Sequence, residues 1–469
     1  MAIKQIKLDV NEITIGMFVS GLDRPWSQTP FPLQGFYIRD IEEIKQLKTH
    51  CNHVYIDVVK GRGPVAVKLK KLGATFGEKP KIFSRSAKQS SVKVDVAPLK
   101  IKRDTYPDKE PIKKEVKRAK QLHQRVFRAV GEVMSHLEGG GNVPLGDTKR
   151  LASDMVDSIL RNPDAFSWLS RVQEVDEYTY SHAVRSAVWG ILFGRHIGLP
   201  KKDLDTLAIG VLLKDVGKTK LDQDLVAKSS RSSAETSEYE KFVELGAQIL
   251  RETPGIEPRV ISVVKTHCER LNGSGFPQHL RGDRIPLLGK VAGIVTFYDE
   301  TTNPRGEKYP IAPSKAVAKL YELRNTEFQE ELVVEFIRAI GLYPTGTLVE
   351  LSTGEVGVVV EQNFERRLKP KIMLMLDSVK NPLNKPILLD LAEDEKRKQA
   401  LIDKGKMTAY EVEKIEIAQD LEPGSYDIDI AAIRDSYIFD SGGGDDFDEP
   451  KKRKGFLAML GLKRERDWD

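Results

Sequence analysis

The chain has 469 residues, with 74 basic and 69 acidic side chains for a formal charge of +5, and 40% of its residues are hydrophobic. That length suits about two to four domains, the apolar content excludes a disordered chain, and so small a net charge gives no case for general nucleic-acid binding. Two cysteines, Cys51 and Cys268, are too few for a disulfide framework and suit a reducing compartment. The amino terminus has no apolar signal core, and no run approaches the roughly 20 apolar residues of a membrane span. A soluble cytoplasmic protein with no transmembrane segment and no nucleic-acid partner is the expectation.

In chain order, residues 1–83 alternate in strand-like fashion at Ile3 to Val10, Met17 to Leu22, Phe36 to Ile38 and His53 to Val59. One helix interrupts them, with Asp40 as candidate cap, Glu43 three residues on, and Ile44 and Leu47 on one face. A small α/β domain is expected there. Residues 84–115, rich in Ser, Lys and Pro, read as a linker. From Lys117 the helical period returns through Leu122, Val126, Val130, Val133 and Leu137, and Gly139 to Gly141 stop it. Further helices are predicted at 147–161, 163–171, 177–198, 201–213, 237–252, 257–268, 287–302, 313–324 and 327–340, so that 116–343 forms a mainly α domain. Short strands follow at Thr347 to Leu351, Gly357 to Glu361 and Ile372 to Leu376, giving a β extension over 344–394. The remainder, 395–469, reads as a charged, partly disordered tail, with a basic run at Lys451 to Lys454 beside an apolar one at Gly455 to Gly461.

The chemistry is concentrated in the stretch Leu212-Leu-Lys-Asp-Val-Gly-Lys218, read with Thr266-His-Cys-Glu-Arg-Leu-Asn-Gly-Ser-Gly-Phe-Pro277. These segments resemble the HD-GYP family, bacterial enzymes that hydrolyse cyclic di-GMP, in which a His-Asp pair precedes Gly-Lys and a His-His-Glu run precedes Gly-Tyr-Pro. The resemblance covers about 120–343 and implies a helical bundle that converges metal ligands distant in sequence. Residues 1–83 resemble the small domain of unknown function found ahead of some HD-GYP domains, and 344–394 the β extension that often follows them.

Residue by residue, the resemblance makes His182 the first metal histidine, Asp215 the bridging aspartate, and His267 one histidine of the later pair. Other ligand positions depart: Lys214 replaces the His of His-Asp, Phe242 a His four residues before Gly246, Cys268 the second His, and Thr296 an Asp three residues before Asp299. The signature loop reads Gly275-Phe276-Pro277. Lys218 and Arg305 match phosphate-contacting positions, and Arg270 lies beside Glu269. Divalent metals in such sites lower the pKa of a bridging water and clamp a phosphoryl oxygen. An ammonium at Lys214 would instead pair with Asp215 and oppose a cation, while Lys214, Lys218, Arg270 and Arg305 would suit phosphate. A structural role remains open for His182 and His267, and burial as a small hydrophobe for Cys268.

Two readings follow. In the first, a degenerate HD-GYP domain without a cofactor, with Asp215 and Lys218 as vestigial catalytic residues, acts by binding GGDEF-type or other signalling proteins, cyclic di-GMP, or a second copy of itself. In the second, a phosphodiesterase holds iron, manganese or zinc through His182, Asp215, His267 and Cys268.

Overall fold

A computed structural model describes residues 5–24, 29, 31, 35–38, 41–57, 96–97, 99, 101–103, 105–107, 110–171, 178–307, 310–363, 366, 368–404 and 414–439. The expected cap Asp40, the outer ends of the first and last amino-terminal strands, and the basic and apolar runs at 451–461 lie outside these residues.

Strands β1 (Gln5–Asp9), β2 (Phe18–Leu22), β3 (Phe36–Tyr37) and β4 (His53–Asp57) form an antiparallel sheet in the order β1-β4-β2-β3. Strand alternation turns Val54 and Ile56 inward, where they meet Val19, Phe36 and Leu47 of helix α1 (Ile41–His50). This is the expected α/β unit.

The second half of the expected linker is anchored. Leu99, Ile101 and Tyr106 pack against the helical core, the Tyr106 hydroxyl donates to the Leu199 carbonyl at 2.9 Å, and Arg103 reaches Glu335 through two bonds of 2.9 and 2.7 Å. Isolated apolar residues in a Lys- and Pro-rich stretch carry no period, yet each finds a groove.

Helices α2 (Ile112–Glu138), α3 (Leu145–Arg161), α4 (Pro163–Arg171), α5 (Tyr178–His196) and α6 (Lys201–Leu212) begin the bundle. It continues through α7 (Gln223–Ala227), α8 (Ser233–Glu240), α9 (Phe242–Glu252), α10 (Pro258–Thr266), α11 (Leu287–Thr302), α12 (Pro313–Glu322) and α13 (Glu330–Ile340). The helix expected at 237–252 is thus two: α8 is an exposed helix with a Ser232–Glu235 capping box, and α9 turns inward from Phe242. Every residue of α5 from His182 to Gly194 is buried, the mark of a central helix. It packs against α6 and α11, which brings His182 and Asp299 face to face.

Beyond the bundle, β5 (Leu348–Leu351), β6 (Val356–Glu361), β7 (Lys371–Leu376), β8 (Pro382–Asp390) and β9 (Ile417–Leu421) form an antiparallel sheet in the order β8-β7-β6-β5-β9. The structure moves the boundary expected at 394. Helix α14 (Leu391–Asp403) runs through it, β9 pairs with β5, and Ile433 and Tyr437 of α15 (Ile430–Phe439) join the core. Few apolar residues in a charged stretch hid these elements. Among the described residues no helix is long and apolar enough to cross a membrane.

Candidate functional site

Helix α6 ends at Leu212, and the chain turns through Lys214 and Asp215 into a 3-10 turn at Val216–Lys220. Gly217 is required there, since a Cβ would meet the Phe242 carbonyl oxygen at 1.9 Å. The turn presses Asp215 inward with two ammonium groups upon it. The Lys214 Nζ donates to Oδ2, and the Lys218 Nζ sits 2.6 Å from Oδ1. Burial alone would raise the Asp215 carboxyl, but the charges of Lys214 and then Lys218 outweigh it and hold it well below the usual carboxylate range. Burial pulls Lys214 below its ordinary range against the attraction of Asp215. For Lys218 burial acts downward too, but Asp215 prevails and raises it. Lys218 also lies over the Phe242 ring, 4.8 Å from its centroid.

On α5, His182 Nδ1 lies 2.7 Å from Asp299 Oδ2 of α11. Arg185, one turn along α5, grips the same carboxylate with Nε on Oδ1 at 2.8 Å and Nη2 on Oδ2 at 3.1 Å. Burial raises Asp299, but Arg185 and His182 bring it down to about 2. His182 is itself held below its ordinary range by burial and then by Lys214. Its Nε2 is buried without a hydrogen bond, 3.7 Å from the Glu300 carboxylate. The Thr296 hydroxyl is likewise buried without a hydrogen bond. Tyr178 stacks on His182 with centroids 5.9 Å apart, and Arg305 covers the Tyr178 ring at 4.4 Å while Nη2 donates to Thr179.

The third wall follows α10. His267 Nδ1 is 2.7 Å from the Val264 carbonyl oxygen, and burial and then Lys214 push its imidazole down to about 3. Phe242 packs 5.9 Å from His267 and 6.1 Å from Phe276, ring to ring. Burial pushes the Cys268 thiol up to about 12, so at neutral pH it stays protonated among Phe242 and Phe276. Glu269 is a clip for the signature loop, accepting the backbone N–H groups of Gln278 and Leu280 at 2.8 and 2.9 Å. A Cβ on Gly275 would meet the Cys268 carbonyl oxygen at 2.3 Å. Phe276-Pro277 therefore lies tight against Cys268 to Arg270. Arg270 donates to the His267 and Glu269 carbonyls and lies over the Phe328 ring.

Residues 171–332, which hold all of these side chains, match the HD domain model. This part of the chain is an HD domain. Residues 5–147 match a domain of unknown function (DUF3391), a span that runs past the expected boundary at 83 into α3, and 348–404 match a KOW domain associated with HD domain. A cyclic di-GMP phosphodiesterase of Pseudomonas aeruginosa is 26% identical over 375 residues, covering 79% of this chain and 85% of the relative. A 3'3'-cGAMP-specific phosphodiesterase of Vibrio cholerae is 27% identical over 173 residues, and the match spans 36% of this chain and 33% of that protein. A solved structure of an HDG"Y"P protein from Bdellovibrio bacteriovorus aligns with TM-score 0.42 and 17% identity, over 71% of this chain and 98% of the other. The HD domain here is homologous to those of HD-GYP cyclic di-GMP phosphodiesterases.

The HD site brings Lys214, Asp215, Lys218, His182 and His267 together as one buried, electrostatically coupled group, and Arg305 joins them through Tyr178. Arg270 is turned to backbone carbonyls, and Lys214 has no solvent exposure, so Asp215 rather than a phosphate takes its ammonium. Three contributors escaped the sequence reading. Arg185 and Tyr178 lie one turn either side of His182, a helical spacing visible beforehand, whereas Glu300 gave no signal. Part of the donor set that the resemblance implies is already engaged or lacks a donor atom. Both Asp215 oxygens face ammonium groups, and Phe242 supplies no donor atom.

Proposed function

We propose that this protein is a degenerate HD-GYP signalling protein in cyclic di-GMP pathways, acting through protein partners and nucleotide binding with little or no hydrolysis. The observation that carries the reading is the Lys214 ammonium on Asp215, with Lys218 on the other oxygen. A fixed cation stands where the HD-GYP resemblance implies a metal, and it repels a second one. Nucleotide recognition then falls to the outer side of the site, where Arg305 is half-buried over Tyr178 and can turn its guanidinium to a phosphate.

One feature supports the alternative, a metal-dependent phosphodiesterase with an altered site. His182 Nε2 is an open imidazole nitrogen. Elemental analysis and turnover separate the readings. The purified chain should contain well under one iron, manganese or zinc per protein, and added manganese should give no hydrolysis of cyclic di-GMP. Two metals per chain, with turnover lost in Asp215→Ala, would restore the enzyme. For the binding role, titration of cyclic di-GMP in chelator should give heat that Arg305→Ala reduces.

A further inference from the structure

A cavity lined by charged side chains, none of them from the HD site, lies between the amino-terminal domain and the carboxyl-terminal part of the chain, with a volume of about 340 Å³. Arg24 and His50 reach it from the first; Arg366, Lys369, Lys398 and Lys414 reach it from the second. Two carboxylates share the lining, Asp394 and Glu395, so among the described residues five cationic side chains face two anions with His50 neutral.

The carboxylates are already shared. Glu395 accepts Arg366 and lies 3.7 Å from Lys369, while Asp394 takes both Arg397 and Lys398 at 2.6 Å. Asp23 stands behind Arg24 at 3.2 Å, and Glu416 stands 3.7 Å from Lys369; among the described residues they reduce the positive excess without reversing it. Lys369 is nearly buried, its side chain only 3% exposed, which keeps one ammonium in a low-dielectric wall. Burial, then Arg24 and Arg366, hold the His50 imidazole below its ordinary range, which registers the positive potential.

We propose that this interdomain cavity binds a phosphate-bearing small anion of mononucleotide size or smaller. Two arginines supply planar forks that match phosphate oxygens, and ammonium groups supply point charges around them. The volume is at the small end for ligand pockets, which favours a mononucleotide over a dinucleotide. Because the lining comes from two domains, occupancy ties them together. Helix α1, which ends at His50, also carries Glu43, and Glu43 accepts Arg338 of the HD bundle at 2.6 Å.

Calorimetric titration of the full chain with inorganic phosphate, pyrophosphate and GTP at low salt tests the idea. Binding should be saturable, and the double variant Arg24→Glu, Lys414→Glu should weaken it at least tenfold. Lys202→Glu, an exposed charge reversal elsewhere on the bundle, should leave it unchanged. Tighter binding of GTP than of phosphate assigns the site to a nucleotide; equal affinity assigns it to phosphate itself. The milder pair Arg24→Gln, Lys414→Gln, checked for an unaltered circular dichroism spectrum, separates lost binding from lost folding. No heat with any probe at about 1 mM, affinity indifferent to both double variants, or displacement of the probes by an oligoglutamate peptide that binds more tightly would overturn the proposal.

Discussion

At the scale of single residues, the site is organised by one carboxylate between two ammonium groups, and this makes a stability claim as well as a functional one. Asp215 and Lys214 are both buried, so neither charge can recover water if its partner is removed. Lys214→Met leaves Asp215 with Lys218 alone and should cost about 3 kcal/mol in urea denaturation, from the range for breaking a buried pair. Asp215→Ala strands two ammonium groups and should cost more than Lys214→Met. The reverse order would mean that the carboxylate is not the hub. Sequence adjacency made the Lys214 to Asp215 contact legible, because a charged pair at the end of a helix has few other partners. The Arg185 grip on Asp299 was not legible, since it joins positions 114 apart, although its one-turn spacing from His182 placed Arg185 on the same helix face. Cys268 and Phe242 pack as an apolar patch with Phe276, which their side-chain chemistry alone suggested.

At the scale of elements, a second buried carboxylate fastens the parts of the molecule. Glu335 on α13 accepts Arg103 from the segment before α2, His196 from the end of α5 at 3.0 Å, and Arg338 from its own helix at 2.8 Å, while Arg338 also holds Glu43 of α1. Burial would raise Glu335, but Arg103, His196 and Arg338 keep it well below the usual carboxylate range. A carboxylate depressed in the folded state stabilises above its unfolded pKa, and the contribution disappears as pH falls through the folded one. Glu335→Gln should therefore cost about 3 kcal/mol at pH 7, with the gap to the parent closing as denaturation is repeated towards about pH 3. A gap of constant size would show that packing, not charge, makes the difference. The helices themselves were legible because apolar residues recur with the period of a turn. Their fastenings were not, since Arg103 and Glu335 are 232 residues apart and the Lys-rich stretch around Arg103 carries a linker's composition.

At the scale of the whole molecule, an amino-terminal sheet, a helical HD domain and a carboxyl-terminal sheet interlock through polar fastenings and returning chain. The carboxyl-terminal part shows how composition misleads. The stretch after 394 is charged enough to read as a tail, yet strand pairing needs only alternate apolar residues and a helix needs only one apolar stripe. Ile417 and Leu421 meet that need in β9, which pairs with β5, and Ile433 and Tyr437 meet it in α15, which packs on α2. Removing residues 404–469 would leave the β5 edge unpaired and uncover the α2 surface beneath α15. Full burial of a large apolar side chain contributes about 1.5–3 kcal/mol, so loss of Ile433 and Tyr437 alone should cost roughly 3–6 kcal/mol as an upper range. The truncated chain should unfold at lower urea than the intact one, and the exposed β5 edge should favour self-association in size-exclusion chromatography. A truncated chain that matched the intact one in both measurements would mean that β9 and α15 add nothing to the fold. The single variant Tyr437→Ala offers an independent reading, because it leaves β9 in place. It should give only part of the loss, removing the hydroxyl that lies 3.1 Å from Glu361 together with the ring's packing.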